Sequence, residues 1–251
     1  MPTIDLNADI GESYGAWRMG DDDAVLDVVT SANIACGYHA GDPVTMLATL
    51  RAAARREVRI GAHVSYPDLV GFGRRELNCA GEEIAADVLY QLGALQALAR
   101  SVGTFVRYVK PHGALYNRAC ADPDIAVVIA DALASVGRIP VLLLAGSPGV
   151  AAAEGNGRPV VTEAFADRAY TPDGALAPRR HPGAVISDEA AVVERCLRLA
   201  TDGTVITTDG TAIRIGARSL CLHGDTPNAA ALARKAREAL QAAGIGIAAF
   251  A

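Results

Sequence analysis

The stretch SANIACGYHAGDP, residues 31–43, decides the fold of this chain, because it passes from a strand through a polar cluster into a helix start. The apolar run Ala32–Ala35 is followed by His39 and Asp42, and Pro43 marks the first turn of a helix. In α/β enzymes, sites are assembled from polar residues that follow the carboxyl ends of separate strands. The stretch therefore predicts one strand–site–helix unit of an α/β protein.

The same arrangement recurs along the chain. Polar clusters with histidine follow apolar runs at residues 61–63, 110–113 and 221–225, and a carboxylate-rich cluster occupies residues 7–12. Alternation of such runs with Ala/Leu-rich helical stretches predicts βα units and a mainly parallel sheet. The strand-like runs number seven: Thr3–Asn7, Ala32–Ala35, Val58–His63, Phe105–Lys110, Pro140–Leu144, Val160–Phe165 and Ser219–Leu222.

Seven runs favour an incomplete or distorted β/α barrel over an open doubly wound sheet, although periodicity alone does not separate the two. No linker of disordered composition interrupts the chain, so we predict a single domain over residues 1–251. Long helices are predicted at Gly81–Val102 and Asp188–Thr201, and a β-hairpin at residues 205–215. Helix starts with a capping residue before proline are expected at Asp42-Pro43, Asp122-Pro123, Ser147-Pro148 and Thr226-Pro227.

Composition excludes several classes of function. The formal charge is −5, from 23 basic and 28 acidic residues, and only 5% of residues are aromatic, so nucleic-acid binding has no support. No apolar stretch is long enough for a membrane span, and the N-terminus lacks the pattern of a signal peptide. Five cysteines without CxxC spacing indicate reduced thiols and a cytoplasmic protein.

The carboxyl ends of parallel barrel strands converge on one face, so the polar clusters should form one site. A mixture of imidazoles and carboxylates permits metal binding, general acid–base chemistry, or both. Lys110, Arg74 and Arg75 are candidates for binding an anion. The other residues expected at this face are Asp9, Glu12, His39, Asp42, His63, His112, Glu163, Asp167, His223 and Asp225.

Simpler roles remain open for several of these residues. A single histidine at a strand end is often only a hydrogen-bonded structural residue, and Asp42 can be a helix cap, a ligand-facing group, or both. His181 lies in a loop of different character and is interpreted as a surface residue. The chain has no P-loop and no G-x-S-x-G elbow. Catalysis by Cys36 or Cys221 is disfavoured, since it needs a spatial pairing that the sequence does not show.

Taken in order, the clusters resemble the LamB/YcsF family across nearly the whole chain. Two departures are small: Ala8 stands where the family pattern has Cys, and Val64 where it has Pro. The motifs that carry the resemblance are DLNADIGE (5–12), SANIACGYHAGDP (31–43), YPD (66–68), GFGRR (71–75), KPHGALYN (110–117), EAFADR (163–168) and HGD (223–225).

This resemblance implies a fold, an activity and partners. The family's fold resembles the seven-stranded, TIM-like β/α barrel of the glycoside hydrolase/deacetylase superfamily. Its activity is that of the A subunit of the bacterial ATP-dependent 5-oxoprolinase, which cleaves 5-oxoproline to glutamate with hydrolysis of ATP. ATP would thus be a co-substrate, and two further subunits, B and C, would be the partners.

The resemblance also implies site roles. Lys110, Arg74 and Arg75 would bind phosphate or carboxylate, and Asp9 or Glu12 with His39 or His112 would supply the base; His223 would flank the substrate. Related sugar deacetylases hold a divalent ion with an Asp and two His, which here implies Asp9, His63 and His112. Ile10 departs from the second aspartate of those enzymes, so the presence of a metal stays open, and Zn, Mn and Mg are not distinguished.

Two further hypotheses stay open. One is a stand-alone, metal-dependent hydrolase that acts on an N-acetylated sugar or another amide. The other is a non-catalytic subunit that only holds its partners together, for which empty strand ends would be expected.

Overall fold

Seven parallel strands close into a barrel in the computed structural model, which describes residues 2–222 and 229–251. They are β1 (Thr3–Ile10), β2 (Ser31–Ala35), β3 (Arg59–Val64), β4 (Val106–Pro111), β5 (Val141–Leu144), β6 (Val160–Phe165) and β9 (Ser219–Cys221). Each pairs in parallel with the next in this order, and β9 pairs back with β1. The predictions of an α/β fold and a seven-stranded barrel are confirmed.

The helices surround the barrel. The long helix predicted at Gly81–Val102 is present, and that at Asp188–Thr201 begins one residue later because Asp188 is its N-cap. The helices within the described residues are α1 (Asp22–Leu26), α2 (Pro43–Arg55), α3 (Gly81–Ser101), α4 (Gly113–Ala121), α5 (Pro123–Val136), α6 (Pro148–Gly155), α7 (Glu189–Thr201) and α8 (Ala229–Ala242).

The predicted helix starts differ in how they are capped. Asp42 accepts hydrogen bonds from the backbone N–H groups of α2, and Asp122 does the same for α5. The predicted cap at Ser147 needs correction, because its hydroxyl makes no capping hydrogen bond although α6 begins at Pro148. Thr226-Pro227 lies outside the described residues.

Three short strands lie outside the closed ring. β7 (Thr204–Ile206) and β8 (Ala212–Arg214) form the predicted antiparallel hairpin. β10 (Gly246–Ile247), which we did not predict, pairs with the first residues of β1. Phe250 then packs against the ring of Tyr108, with 4.8 Å between ring centroids. The C-terminal segment therefore covers the end of the barrel where β1 begins.

No helix in the described residues is long and apolar enough to cross a membrane.

A polar column fills the interior of the barrel, where aliphatic layers are usual. Alternate residues of a strand face the same side, so Asp5, Asn7 and Asp9 of β1 all point inward. At the base, Asp5 Oδ1 accepts hydrogen bonds of 2.6 Å from both Thr30 and Ser31. Gly61 leaves room for the Tyr108 ring, because an added Cβ would lie 2.2 Å from it. The column leads from the base of the barrel to the strand ends.

Asp22 fixes the turn that follows β1. Its carboxylate accepts a 3.0 Å hydrogen bond from the N–H of Gly11, which has a φ of +71°. Burial, and then the nearby acidic residues, raise the pKa of Asp22 to about 6 from its usual 3.8. The unfolded chain therefore loses this proton at lower pH than the folded protein. Stability should fall as the pH rises from about 4 to about 6, by up to about 3 kcal/mol.

Asp22→Asn should remove this pH dependence and stabilise the protein by about 1–3 kcal/mol at pH 7, because the amide oxygen still accepts from Gly11 without a buried charge. Urea unfolding between pH 4 and pH 8 measures the effect. Asp23→Asn is the matched control, since Asp23 makes a surface ion pair with Arg56 and should change stability by less than about 1 kcal/mol. Equal stability of Asp22→Asn and the parent at pH 7 would contradict the prediction.

Candidate functional site

The carboxyl ends of four barrel strands bring the central polar side chains together. Asp9, His63 and Lys110 are each the last residue but one of their strands, β1, β3 and β4. His39 reaches the same place from the loop between β2 and α2, and Glu163 from β6. All five side chains are at least nine-tenths buried. The structure thus gathers most of the residues that the sequence placed at this face.

Three histidines form a compact cluster with Glu12. The rings of His39 and His112 stack at 3.8 Å with an interplanar angle of 5°. His112 Nδ1 lies 2.9 Å from His63 Nε2. Glu12 Oε1 lies 3.4 Å from His39 Nε2 and 3.7 Å from His112 Nδ1. These four residues each offer a ligand atom, and the four atoms lie within 4.8 Å of one another, so they can hold a metal ion.

Backbone carbonyls fix the tautomers of two of these rings. His63 Nδ1 donates to the carbonyl oxygen of Lys110 at 3.0 Å, and His112 Nε2 donates to that of Phe72 at 2.9 Å. In a neutral imidazole the other nitrogen is an acceptor. The two nitrogens that face each other, His63 Nε2 and His112 Nδ1, therefore both present lone pairs. Such an arrangement requires a proton or a cation between them.

Burial keeps two of the imidazoles neutral. It is the largest factor that lowers the pKa of both His39 and His112 well below the usual range. The neighbouring imidazoles act in the same direction, because each disfavours a second positive charge nearby. Neutral imidazole is the form that binds metals and accepts protons. The cluster is therefore poised for ligation or for base catalysis.

The Gly71–Arg75 loop supports this cluster from one side. Phe72 has a φ of 54°, a conformation that is uncommon for a non-glycine residue and often marks functional sites. It directs its carbonyl oxygen to His112. A Cβ on Gly73 would lie 2.2 Å from Ser65 Oγ and 2.9 Å from the His112 ring, so glycine is required there. The Gly-Phe-Gly motif therefore orients His112.

Lys110 is the electrostatic centre of the polar column. Its Nζ lies 3.0 Å from Asp9 Oδ1, 3.1 Å from Glu163 Oε2 and 3.2 Å from Cys221 Sγ. Burial alone opposes the ammonium charge, but Asp9 and the other acidic neighbours outweigh it and raise the pKa of Lys110 well above its ordinary value. Lys110 thus stays charged and neutralises carboxylates, which leaves less of its charge for a bound anion.

Asn33 completes the orientation of Asp9. Its amide nitrogen donates to Asp9 Oδ1 at 2.8 Å and to Asn7 Oδ1 at 2.7 Å, while its oxygen accepts from the Tyr108 hydroxyl at 2.7 Å. Lys110 binds the same Oδ1 of Asp9. The second oxygen, Oδ2, faces His63 Nε2 at 3.3 Å. The group of side chains that could hold a metal ion contains Glu12 and His39 in addition to the predicted His63 and His112, and Asp9 contacts this group through His63.

A cavity of about 970 Å³ opens beside these groups. Asp9, Glu12, His63, Lys110 and His112 form its inner end. Its outer wall contains residues that sequence reasoning did not select. Arg168 directly follows β6 within the EAFADR motif, and this position was the signal that could have identified it. The other such residues include Tyr116, Asn117, Cys120, Ser147, Asp173, Arg179 and Arg180.

Several predicted site residues lie elsewhere. Asp42 caps α2 and also accepts from Gly15, and its hydrogen bonds, that from Thr45 first, lower its pKa to about 2. Arg75 binds the buried carboxylate of Asp68, with Nε 3.0 Å from Oδ1, and does not line the cavity, whereas Arg74 does. His181 is exposed, as expected. His223 and Asp225 lie outside the described residues.

The buried cysteines are not activated nucleophiles. Burial raises the pKa of the Cys36 thiol to about 12 and that of Cys221 well above its usual value. Both thiols therefore keep their protons near neutral pH, and the thiolate is the nucleophilic form. All five cysteines are free.

Comparison with known proteins identifies the family. The LamB/YcsF family profile matches residues 4–251. The chain is 55% identical over 252 residues to the 5-oxoprolinase A subunit of Kocuria rhizophila, with coverage of 100% of both proteins. A crystal structure of a lactam utilization protein from Thermus thermophilus superposes with a TM-score of 0.93 at 46% identity, covering 99% of this chain and 100% of that one.

A more distant likeness concerns the fold alone. A family 4 carbohydrate esterase from Streptomyces lividans is 10% identical and superposes with a TM-score of 0.54, covering 100% of this chain and 93% of that one. This agrees with the barrel of the deacetylase superfamily that the sequence implied. The extent of the profile match and the identity to full-length relatives show that the chain belongs to the LamB/YcsF family.

Proposed function

We propose that this chain is the A subunit of an ATP-dependent 5-oxoprolinase, a hydrolase that opens the lactam of 5-oxoproline to give L-glutamate. ATP is hydrolysed to ADP and phosphate in the same reaction, within a complex that includes partner subunits B and C. The names of the relatives from K. rhizophila and T. thermophilus support this proposal. The observation that carries it is the buried cluster of Glu12, His39, His63 and His112 beside Asp9 at the end of the cavity.

The lactam explains the need for ATP. A five-membered lactam is a resonance-stabilised amide. Its hydrolysis is slow and releases little free energy. Phosphorylation of the amide oxygen converts it into an activated imidate, which water can attack. Attack by one water and cleavage of the C–N bond open the ring to an acyl phosphate, and a second water then releases phosphate to give glutamate. The subunit must therefore bind a small carboxylate, accommodate a phosphoryl group and deprotonate a water molecule.

Asp9 and the neutral imidazoles suit the last of these tasks. Asn33 and Lys110 hold Oδ1 of Asp9, and Oδ2 lies 3.3 Å from His63 Nε2, where it can accept a proton. Glu12 lies between His39 and His112, where it can accept or return a proton. Positioned acid–base groups of this kind contribute about 10²- to 10⁴-fold in rate. We assign the base to Asp9 or Glu12, with the histidines as proton partners.

The same cluster suits a divalent metal. Three imidazoles and one carboxylate are a donor set that favours Zn²⁺ or a similar transition metal over Mg²⁺. Glu12, His39, His63 and His112 would hold it, and Asp9 would contact the ligand His63. When bound, such an ion would polarise a carbonyl oxygen and lower the pKa of a water molecule.

This donor set also supports the alternative function, a stand-alone metal-dependent amidohydrolase or deacetylase. That enzyme would act on an N-acetylated sugar or a related amide without ATP or partner subunits. The third hypothesis, a non-catalytic scaffold, is disfavoured by the buried ionisable groups, because proteins rarely bury such groups without using or pairing them. A cytoplasmic location remains a prediction from the cysteine pattern.

The test is 5-oxoproline-dependent release of phosphate by the chain mixed with its partner subunits. We expect activity in the mixture and little from the chain alone. Asp9→Asn and His112→Ala should each reduce the rate by about 10³-fold or more without unfolding the protein. Arg138→Ala, on the exposed loop before β5 at the opposite end of the barrel, is the control and should be fully active. Deacetylase activity without ATP would instead support the alternative.

A further inference from the structure

The proposed reaction needs an anion site, and two of the cations chosen from sequence, Lys110 and Arg75, bind carboxylates of the protein. Lys110 is buried between Asp9 and Glu163. Arg75 binds Asp68, and this pairing is the main factor that lowers the pKa of the Asp68 carboxyl. Arg74 lines the cavity, but a single guanidinium is a small counter-charge for a phosphoryl group. The positive charge must come from elsewhere on the cavity wall.

A folded segment after β6, residues 167–187, supplies it. Backbone hydrogen bonds close this segment on itself, from Ala169 N to Ala184 O, from Ala177 N to Ala169 O and from Ile186 N to Asp167 O. Arg168 crosses its interior. Nε of Arg168 donates to Ala184 O at 3.2 Å and Nη2 donates to Ala177 O at 2.6 Å. These bonds hold the guanidinium in a fixed plane, and Nη1 is the nitrogen that remains for a ligand.

Among the described residues, this wall of the cavity is lined by two carboxylates, Glu76 and Asp173, and by four arginines: Arg74, Arg168, Arg179 and Arg180. Asp167, adjacent to Arg168, offsets part of the arginine charge.

The charges of Arg179 and Arg74 disfavour the positive charge of Arg168. Burial, and then the charge of Arg179, lower the pKa of Arg168, and Arg74 acts in the same direction. Arginine nevertheless stays charged in proteins, so it cannot relieve this repulsion by losing a proton. A bound anion relieves it.

We propose that Arg168 and Arg179, together with Arg74, form a subsite for a phosphoryl group on the outer wall of the cavity. The inference rests on the proposed function, which supplies the phosphoryl group, and it assigns that group to residues outside the histidine cluster. Guanidinium groups bind phosphate oxygens in pairs of parallel hydrogen bonds, and several of them suit a dianion with three terminal oxygens. A purely structural role explains the two carbonyl bonds of Arg168. It does not explain why Arg168, Arg179 and Arg74 all line the same cavity.

The test measures binding of inorganic phosphate to the full-length chain by isothermal titration. Arg179 is exposed, so Arg179→Glu should fold normally. It should weaken phosphate binding by about tenfold or more, whereas Arg179→Lys, which keeps the charge but not the paired hydrogen bonds, should weaken it less. Arg138→Glu is the matched control, because Arg138 is an exposed arginine before β5 at the other end of the barrel. Equal affinity of the parent and Arg179→Glu for phosphate, both with and without 5-oxoproline, would overturn the proposal.

Two arms identify the source of the phosphoryl group. If Arg179→Glu weakens binding of a non-hydrolysable β,γ-imido analogue of ATP, the subsite holds the terminal phosphate of the nucleotide. If it weakens phosphate binding only in the presence of 5-oxoproline, the subsite holds the phosphorylated lactam. Either result supports the subsite. Arg179-dependent phosphate binding in a protein that never cleaves 5-oxoproline would support the subsite and contradict the proposed function.

Discussion

Replacing Lys110 by methionine is expected to abolish lactam cleavage and to lower the free energy of unfolding by about 3–5 kcal/mol. Lys110 is only 2% exposed, and its ammonium group lies within 3.1 Å of carboxylate oxygens of both Asp9 and Glu163. Methionine keeps the apolar stem but leaves two carboxylates buried without a counter-ion. Urea unfolding and 5-oxoproline-dependent phosphate release by the assembled enzyme measure the two effects.

Two further variants test whether the effects come from the loss of a buried charge at Lys110. Lys235→Met is the control, because Lys235 pairs with Glu189 at the surface with both side chains about half exposed, and its loss should change stability by less than about 1 kcal/mol. Adding Glu163→Gln to Lys110→Met should restore part of the stability but no activity, since Asp9 still lacks its partner. If Lys110→Met were as stable as the parent, the balance of charge inside the barrel would not depend on Lys110.

The barrel and the location of its site were predictable because both follow from local patterns. Strand periodicity, helix caps and polar residues after strands are all properties of short segments. His63 and His112 were expected to be neighbours because their strands, β3 and β4, are consecutive, and their ring nitrogens do face each other at 2.9 Å. The sequence therefore indicated which residues converge.

Orientation within the site was not predictable, because it depends on contacts between distant segments. Arg74 and Arg75 are adjacent in sequence, yet Arg75 binds Asp68 while Arg74 lines the cavity. No periodicity distinguishes the two. The inclusion of His39 and Glu12 in the metal cluster similarly depends on ring stacking between the β2–α2 loop and the end of β4. The resemblance named Asp9 as a ligand, and the contacts of Lys110 and Asn33 with its Oδ1, which turn Oδ2 toward His63, join segments far apart in the chain.

A second large effect is expected for metal binding. The isolated chain should bind one equivalent of Zn²⁺, and His63→Ala or His112→Ala should weaken this binding by about 100-fold or more, since each removes a ligand. The facing nitrogens of His63 and His112 both present lone pairs, because carbonyl oxygens accept the protons on the opposite sides of the rings. Elemental analysis after dialysis and a competition titration with a chelating dye measure stoichiometry and affinity.

A proton is the alternative partner for these two nitrogens, and burial disfavours it on His112. Burial and the neighbouring imidazoles lower the pKa of His112 well below its usual value, which disfavours an imidazolium at this place. A cation held by Glu12 as well as the histidines removes the repulsion without adding a proton to any ring. For tetrahedral Zn²⁺ with Zn–N distances of about 2.0–2.1 Å, ligand nitrogens lie about 3.3 Å apart. The observed 2.9 Å between His63 Nε2 and His112 Nδ1 needs only a small opening to reach that spacing.

The controls use the other histidine and Asp9. His181→Ala should bind Zn²⁺ as the parent does, because His181 is exposed in the segment after β6. Asp9→Asn should weaken binding by only about tenfold, as expected for a residue that contacts a ligand rather than the ion. Retention of full affinity by His112→Ala, or the same loss in Asp9→Asn as in His63→Ala, would contradict the assignment of ligands. A chain that binds no divalent ion at all would leave the shared proton as the partner of the two rings and would assign base catalysis to Asp9 or Glu12 alone.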